Sequence, residues 1–487
     1  MKKTWFWIAL ASILTLNAAQ AQESPGVDEN EAAKPAVRKN LAPVDKKTLK
    51  VRFQRPKEYT LPNGLKIHIL EDHRVPGTTV RLLLQAGTLY WPNQVEAEAA
   101  GSLLTEGTTT KTGKEIARIV DGMGAELTSG TGIDFSSLSI SALSDYTEVL
   151  LDIIADVALN PSYPQDRLDN YKFRRIAGLP ARKVDPDNLS SMLTARVNYG
   201  TSRFARPLPK EEEIQAVTRE GLFVYHKAAF SPDRATITVV GDVDAKTVVE
   251  RIKALFGEWK QTAGLLPEPS REFQPKDKTV VHIVDRPGSQ QTMLRFTNIA
   301  VRRNHPDYIP LLVANRILGG GSTSRLFRKI REEKGYTYGA YSSLSAPRWT
   351  GTWGAYASVR SEVTGPAVDD FLAEFKRLQT EPVDPDELDR VKRTLTGSFA
   401  RTLESPDNIL GKYTELLRND LPLDYWETYP KKINAVTADD VMRMARKYLG
   451  EGRIQIIAVG ERESIEPVLK KHGPVIVYNT DIEPISQ

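Results

Sequence analysis

The chain has no cysteine among its 487 residues, which excludes disulfide bonds and thiolate metal ligands. It also lacks a strong net charge, because 66 Lys and Arg face 62 Asp and Glu, leaving +4 at pH 7 without a basic arm. We therefore expect no nucleic-acid partner. No apolar run approaches the roughly 18 residues that a membrane-spanning helix needs, so we expect no transmembrane segment in the mature chain.

The N-terminus has the pattern of a cleaved export signal. Two lysines precede the apolar run Trp5–Leu16, and Ala19-Gln20-Ala21 is a small-residue site suited to signal peptidase. We predict a signal peptide over residues 1–21 and a flexible lead, rich in Pro and Ala, over residues 22–46. The mature protein is then expected in the periplasm of a Gram-negative bacterium. The alternative is a signal that stays uncleaved and anchors the chain.

The remaining chain contains an internal repeat. "EIQAVTREGL" from Glu213 recurs as "KINAVTADDV" from Lys432, and "DRATITVVGD" from Asp233 recurs as "GRIQIIAVGE" from Gly452, both at an offset of 219 residues. Each copy predicts a Thr-capped helix, a short break and a β-strand that ends in Gly. Two matches at one spacing indicate two homologous halves.

The halves predict the domain organisation and the fold class. "YTLPNGLKIHILED" predicts two strands joined at Asn63-Gly64, and "FSSLSISAL" from Phe135 predicts a half-buried strand. Strands and helices mix without a regular βαβ order, which favours α+β halves with helices covering one face of a largely antiparallel mixed sheet. We predict domains over residues 47–260 and 280–487, with a Pro- and Gly-containing linker over residues 261–279.

Several longer motifs carry a family resemblance. They are "LPNGLKI" at Leu61, "EGTTTKT" at Glu106, "MGAELTSGTGIDFSSLSI" at Met123, "FSPDRATITVVGDVD" at Phe230 and "GGGSTSRLFRKIREEKGYTYGAYSSL" at Gly319. On these motifs the chain resembles the pitrilysin or insulinase-like (M16) zinc peptidases, and in size their two-domain, processing-peptidase-type subunits. The resemblance implies half of a clamshell: two such subunits face each other and enclose a chamber for unfolded peptides.

The zinc-binding motif of that family is missing. Active members carry His-x-x-Glu-His on a helix shortly before a Gly-Thr pair, because side chains at i and i+4 share a helix face and can both ligate zinc. Counting back from Gly107-Thr108 places Glu98, Gly101 and Ser102 at these positions. The third ligand of the family is a later glutamate, and residues 149–210 contain none. We therefore expect no metal in this chain and zinc in a partner subunit.

The histidines offer no replacement for the motif. No two of the six have the i, i+3 or i, i+4 spacing of a helical ligand pair; they are His68, His73, His226, His282, His305 and His472. His68, in the predicted hairpin, is expected to be a packed or surface side chain. Asn93 is a predicted helix cap, with Glu96 at the N3 position of a capping-box-like arrangement.

The second half keeps a different part of the family's chemistry. "REEKGYTYG" places Arg331 and Tyr338 seven residues apart, which resembles the arginine–tyrosine pair that the family presents across the chamber from zinc. A guanidinium at a helix end and a phenol on the next strand would bind the substrate carbonyl as its oxygen gains negative charge. The alternative is a solvated basic face of Arg325, Arg328 and Arg331 with tyrosines that pack in a strand. The glycine run Gly319–Gly321 indicates a hinge or a close backbone approach. A phosphate-binding loop is excluded, because no Gly-Lys-Ser/Thr follows the run.

These observations lead to a first hypothesis with two rivals. The first is a non-zinc subunit of an exported heterodimeric metalloendopeptidase, inactive alone, which supplies Arg331, Tyr338 and half of the chamber wall. The second is a catalytically inactive peptide-binding or scaffold protein that captures extended peptides at a sheet edge. The third is a self-sufficient hydrolase with an unfamiliar site, although the sequence has no GxSxG nucleophile motif.

Overall fold

A computed structural model describes residues 51, 53–262, 273–450 and 452–486. The predicted signal peptide and lead lie outside the described residues, as does most of the predicted linker. The described residues belong to one compact unit, Thr48–Gln487. The domain boundaries drawn from the sequence stay predictions. Within the described ranges, no helix is both long and apolar enough to cross a bilayer.

The strands of the described residues form two mixed sheets. The six-stranded first sheet has the order β1-β2-β6-β3-β5-β4. Its strands are β1 (Lys57–Thr60), β2 (Lys66–Glu71), β3 (Gly77–Leu84), β4 (Glu126–Thr131), β5 (Ser136–Leu143) and β6 (Ala235–Gly241). The seven-stranded second sheet has the order β13-β12-β7-β11-β8-β10-β9. Its strands are β7 (Val281–Asp285), β8 (Gln291–Ile299), β9 (Ala340–Ser345), β10 (Thr352–Arg360), β11 (Gln455–Gly460), β12 (Val475–Tyr478) and β13 (Pro484–Ser486).

Most neighbouring strands are antiparallel. The parallel pairs are β2 with β6 in the first sheet, and β7 with β11 and β12 in the second. The predicted hairpin is present, because β1 pairs antiparallel with β2. Gly64 takes a φ of +92°, and the Asn63 side chain donates to the Phe256 carbonyl at 2.8 Å, which fixes the turn against a helix end. The predicted α+β class is confirmed.

Helices cover the sheets. Those of the first half are α1 (Gln94–Leu103), α2 (Gly113–Gly122), α3 (Thr147–Leu159), α4 (Gln165–Ala177), α5 (Leu179–Val184), α6 (Pro186–Tyr199), α7 (Glu211–Gln215), α8 (Arg219–Ala229) and α9 (Ala245–Phe256). Those of the second half are α10 (Tyr308–Gly319), α11 (Thr364–Thr380), α12 (Pro385–Arg401), α13 (Pro406–Arg418), α14 (Tyr425–Ala435), α15 (Ala438–Tyr448) and α16 (Arg462–Leu469). Thr218 and Thr437 cap α8 and α15, as the repeat predicts.

The two halves follow the same element order and exchange one helix each. The order β3-α1-α2-β4-β5-α3 in the first half recurs as β8-α10-β9-β10-α11 in the second, where the π-helix Phe327–Glu333 stands in the place of α2. Helix α6 packs on the second sheet, where Leu189 and Leu193 join Ile457 in a buried cluster. Helix α13 packs on the first sheet, where Tyr413 lies edge-on to His68 with ring centroids 5.4 Å apart. The exchange buries a face of each sheet that its own helices leave open.

Candidate functional site

Helix α1 carries the degenerate zinc-motif positions and begins as the sequence predicts. The Asn93 side chain accepts hydrogen bonds from the backbone N–H groups of Val95 and Glu96 at 3.1 and 3.2 Å. The Glu96 carboxylate accepts from the Trp91 indole at 2.6 Å instead of closing a capping box. Small side chains such as Ala97 are buried against the first sheet, so the helix lies close to it.

Glu98, at the first of these positions, is bound by two arginines. Its two carboxylate oxygens accept from Arg175 of α4 at 2.6 Å and from Arg206 at 2.9 Å. Arg206 has a left-handed φ of +44°, an uncommon conformation for a residue with a side chain. Two guanidinium groups therefore already provide the positive charge that this carboxylate needs.

Gly101 and Ser102 give no metal ligand either. A Cβ at Gly101 would lie 2.4 Å from the backbone nitrogen of Thr131, because α1 packs its backbone directly on β4. Ser129 of β4 donates to the Gly101 carbonyl at 2.8 Å. The exposed Ser102 donates its hydroxyl to the Glu98 carbonyl at 2.8 Å. A glutamate at position 101 would need α1 to move away from β4.

The histidines that the structure buries are packed side chains. His68 contacts the Tyr413 hydroxyl through Nδ1 at 3.0 Å, and His282 contacts Tyr478 and Gln455, each at 3.1 Å. Burial lowers the pKa of His68 and of His282 to about 4. No group of three potential His, Asp or Glu ligands occurs in the part of the chain that the structure describes. Because Glu98 is already held by arginines, the residues at the motif positions do not fit zinc.

A cleft opens over α1, which we call the α1 cleft. It encloses about 980 Å³ and is bordered by Glu98 and Ser102 of α1, Arg175 of α4 and Thr131 of β4. Strand β4 is the last strand of the first sheet, pairing with β5. The degenerate motif therefore faces a cleft beside a sheet edge.

In the second half, the arginines predicted as one basic face have different environments. Residues Phe327–Glu333 form a π-helix. Arg325, just before it, is buried and donates to Glu387 at 2.8 Å, and Arg328 lies 3.6 Å from the same carboxylate. Arg331 is exposed, with its guanidinium 4.7 Å from the centre of the Phe327 ring. The alternative of a shared solvated face is therefore wrong for Arg325.

Tyr338 lies in the loop before β9 rather than on the strand where the sequence placed it. Gly335, with a φ of +63°, ends the π-helix, and the Thr337 hydroxyl donates to the Gly339 carbonyl at 3.1 Å, forming a local turn. Tyr338 projects from this turn with 93% of its surface exposed. Tyr341, by contrast, is half-buried and packs on other rings. Strand packing does not account for Tyr338.

Tyr338 borders a groove of about 880 Å³, which we call the tyrosine groove. Its aromatic lining consists of Tyr336, Tyr338, Tyr341 and Tyr356. Arg331 is not part of that lining, and within the described ranges no hydrogen bond joins Arg331 to Tyr338. The structure thus exposes both side chains without a described hydrogen bond between them, and their role stays a prediction.

Two sets of site residues were missed by the sequence analysis. Arg175 and Arg206 complete the α1 cleft. Glu98 was the one sequence signal for them, because a half-buried carboxylate is stable only when a cation or hydrogen-bond donor pairs with it. Arg295 of β8 donates to Asp187 of α6 at 2.5 Å and lies 5.3 Å from the Tyr356 ring, beside the tyrosine groove. Nothing in the sequence alone pairs these last residues, because they come from different halves.

The chain is similar in sequence to several known proteins. The family model "Peptidase M16 inactive domain" matches residues 216–395. The uncharacterized zinc protease YmxG of Bacillus subtilis is 23% identical over 404 residues, covering 81% of this chain and 96% of its own. An uncharacterized zinc protease of Mycobacterium leprae is 28% identical over 314 residues, covering 61% of this chain and 68% of its own.

Solved structures share the fold. A peptidase M16 inactive domain from Pseudomonas fluorescens has a TM-score of 0.76 at 25% identity, with 84% of this chain and 98% of that chain covered. The periplasmic protease PqqL from Escherichia coli has a TM-score of 0.73 at 16% identity, with 87% of this chain covering 48% of that one. The motifs, the two helix-covered sheets and these similarities show that the chain resembles the peptidase M16 family, and its sequence lacks the zinc-binding motif of that family.

Proposed function

We propose that the chain is the non-zinc subunit of a heterodimeric M16-type metalloendopeptidase. It contributes half of a peptide chamber and binds the substrate through Arg331 and Tyr338, while a separate M16-type chain with His-x-x-Glu-His holds zinc. The substrates are unfolded or extended peptides. Alone, the chain is inactive.

The observation that carries the proposal is an asymmetry between the two motif regions. At the former zinc positions, Glu98 is taken up by Arg175 and Arg206, and a Cβ at Gly101 meets the β4 backbone. In the second half, Arg331 and Tyr338 are exposed, and Tyr338 borders the tyrosine groove. An exposed guanidinium and phenol are free to meet a ligand, whereas the motif positions are already committed to contacts within the chain.

The chemistry of these two side chains is that of a carbonyl clamp. A peptide carbonyl under attack by water gains negative charge on its oxygen, and a guanidinium and a phenol both donate hydrogen bonds to such an oxygen. Stacking of Arg331 over Phe327 orients the guanidinium without using its donors. The partner subunit would supply the metal, so that hydrolysis needs both chains.

The test compares this chain, a zinc-bearing M16-type partner, and their mixture in hydrolysis of an unstructured peptide. A natural first candidate for the partner is the product of a neighbouring open reading frame that encodes the motif. We expect activity to rise on mixing, and Arg331→Ala to lower kcat of the mixture by about a hundredfold or more. Tyr338→Phe, which removes one donor, is expected to lower it by a smaller factor.

Matched controls separate the clamp from general surface changes. Arg393→Ala removes an exposed arginine from α12. Tyr59→Phe removes a hydroxyl from β1, at a tyrosine that is 36% exposed. Both are expected to leave the mixture as active as the native pair. Partner activity that does not rise on mixing, or that ignores Arg331→Ala, would contradict the proposal.

A second candidate is a peptide-binding protein of the same fold without a role in catalysis. It is favoured by the position of β4 at the edge of its sheet, where strand addition is possible, beside the α1 cleft. It predicts peptide binding without turnover in every mixture. Zinc bound stoichiometrically to the lone chain, with chelator-sensitive cleavage, would instead support a self-sufficient hydrolase.

We also propose export to the periplasm. The support is the signal-like sequence over residues 1–21, together with a similarity to a periplasmic protease. N-terminal sequencing of the mature protein from its native host should begin at Gln22. A chain that keeps Met1 and stays in the cytoplasmic fraction would refute export.

A further inference from the structure

Helices α4 and α5 concentrate positive charge. Between Gln165 and Val184 the sequence has six Lys and Arg but only two Asp, a net charge of +4 that equals the net charge of the whole chain. Lys172 and Arg174 of α4 form no ion pair with any residue that the structure describes, although the Lys172 amine donates to the Gln215 carbonyl at 2.8 Å. Their charge is therefore open to an anionic partner.

The two helices also expose apolar side chains on one face. Gly178, between them, keeps the right-handed helical conformation, with a φ of −82° and a ψ of −14°, so the helical turn continues from α4 into α5. Exposed apolar residues then recur at intervals of four, three and four residues, which places them on one helix face. They are Phe173, Ala177, Pro180 and Val184, which we call the α4–α5 stripe.

Phe173 is the largest side chain of the α4–α5 stripe. It is 73% exposed, and Val184 is 57% exposed. Lys172 and Arg174 adjoin Phe173 in sequence and therefore lie on either side of it around the helix. An apolar stripe with basic flanks is typical of a helix that lies in the plane of an anionic lipid surface, because its apolar side chains enter the boundary of the acyl chains while its cations meet the lipid phosphates.

Acidic side chains nearby weaken this attraction without reversing it. The net charge of α4 and α5 already includes Asp166 and Asp169. Helix α7, beside α4, adds three exposed glutamates, Glu211–Glu213, and the first of them borders the same hollow as Phe173. Because Lys210 precedes these glutamates, the residues of α4, α5 and α7 together with Lys210 keep a net positive charge.

The stripe suits a lipid surface better than a helix of a protein partner. Two helices that pack along such a seam need large apolar side chains at successive positions, which fill the holes of the facing helix. Ala177 and Pro180 are small and offer little to such a partner. A lipid surface needs no matching holes, and one exposed aromatic ring contributes to binding by itself.

We propose that the α4–α5 stripe docks the protein on an anionic membrane surface. Phe173 enters the lipid boundary, and Lys172 and Arg174 meet the phosphates. Docking of this kind is separate from peptide cleavage and requires neither Arg331 nor Tyr338.

The first test measures binding to lipid vesicles by co-sedimentation. The chain is used from Gln22 onward, so that the apolar run Trp5–Leu16 cannot insert, and the vesicles contain phosphatidylcholine alone or with phosphatidylglycerol. We expect binding to the anionic vesicles that weakens as salt is added, and little binding to the neutral ones. Equal binding to both kinds would overturn the proposal. So would binding to neither, which would leave the stripe to a protein partner.

Variants locate the contact. Phe173→Ser should weaken binding to the anionic vesicles by about tenfold or more, and Arg174→Glu by roughly tenfold. Glu212→Gln should strengthen binding by roughly threefold, because it removes a negative charge beside α4. The matched control is Leu143→Ser, at a leucine of β5 that is 56% exposed, which should bind as the native chain does. Unchanged binding in Phe173→Ser would refute the site.

A fluorescent probe reports whether position 173 enters the lipid. Because the chain has no cysteine, Phe173→Cys can carry a polarity-sensitive dye at a single site. We expect the emission of this dye to shift to the blue on anionic vesicles, whereas the same dye on Leu143→Cys should not respond. A dye at position 173 that stays in water while the protein is bound would contradict insertion at the stripe.

Discussion

Helices α1 and α10 hold equivalent places in the two sheets, and their surroundings differ in an informative way. Each places a glycine against the edge strand of its sheet: Gly101 against Thr131 of β4, and Gly319 against Ser342 of β9. Beside α1, the charged side chains pair with one another. Beside β9, Arg331 and Tyr338 extend into solvent. The packing of helix on edge strand thus belongs to the fold, whereas the chemistry depends on side chains outside the packed face.

The largest effect that we expect comes from filling the shared glycine contact. Gly101→Ala and Gly319→Ala should each lower the free energy of unfolding by about 3 kcal/mol, because the new Cβ atoms meet strand backbone and the helices must shift. The Cβ at Gly319 would lie 2.2 Å from the Ser342 nitrogen. Denaturant unfolding of the purified variants measures this.

Two other helical glycines are matched controls. A Cβ at Gly122 of α2 or Gly397 of α12 has no heavy atom within 4 Å. Alanine at either position is expected to stabilise the protein by about 0.5–1 kcal/mol, since it reduces the freedom of the unfolded chain. If only one of Gly101→Ala and Gly319→Ala lowers the free energy of unfolding, then α1 and α10 do not pack alike on the edge strands of their sheets.

Local patterns predicted the elements that flank these contacts. Asn63-Gly64 predicted the first hairpin, Asn93 the start of α1, and the repeated Val-Thr motif the caps of α8 and α15. Gly319 shows the close backbone approach that was one of two interpretations of the glycine run. Such features depend on a few neighbouring residues, so their physical signal is complete within a short segment.

The arrangement around the site was less predictable. Strand β4, with the sequence ELTSGT, has no alternation of apolar and polar residues, because it lies at an edge and is only partly buried. The exchange of α6 and α13 between sheets depends on contacts between residues far apart in sequence. Within the first half, the contact of Glu98 with Arg206 was equally unpredictable, because no local pattern links two residues that lie 108 positions apart.

Strands β2 and β7 give the two sheets a common pH-sensitive feature. Each carries a buried histidine, His68 or His282, whose pKa is lowered to about 4, first of all by burial. The unfolded chain, with a histidine pKa near 6.5, therefore binds more protons, so stability is full above about pH 6.5 and is lost as the pH falls towards about 4. We expect each histidine to weaken folding by about 2 kcal/mol between pH 7 and pH 5.

Replacing either histidine tests this. His68→Gln and His282→Gln should each flatten the dependence of the unfolding free energy on pH between 7 and 5. His73 is the control with opposite sign, since its hydrogen bond to Asp242 raises the pKa of its ring. His73→Gln should therefore not flatten the profile. A profile that keeps its native slope in both His68→Gln and His282→Gln would show that these rings titrate normally in the folded protein.

The smallest effect concerns the exchanged helices. "PDN" begins both α6 and α13, and counting forward from it aligns Leu193 with Tyr413. Leu193 packs in an apolar cluster, whereas the Tyr413 hydroxyl bonds to His68 at 3.0 Å. Tyr413→Phe should cost about 1 kcal/mol of unfolding free energy, because it leaves a buried histidine nitrogen without its partner.

A double-mutant cycle decides whether that cost comes from the contact between halves. In a His68→Leu background, Tyr413→Phe should cost much less, because the hydroxyl then has no histidine to meet. Additive effects would mean that the hydroxyl stabilises the protein by another route. A measurable coupling would show that the first sheet holds its exchanged helix partly through the Tyr413 hydroxyl, at the position where α6 has the apolar Leu193. The two repeats would then use different chemistry at one equivalent position, a hydrogen bond at Tyr413 and apolar packing at Leu193, although α6 also bonds to the second sheet through Asp187 and Arg295.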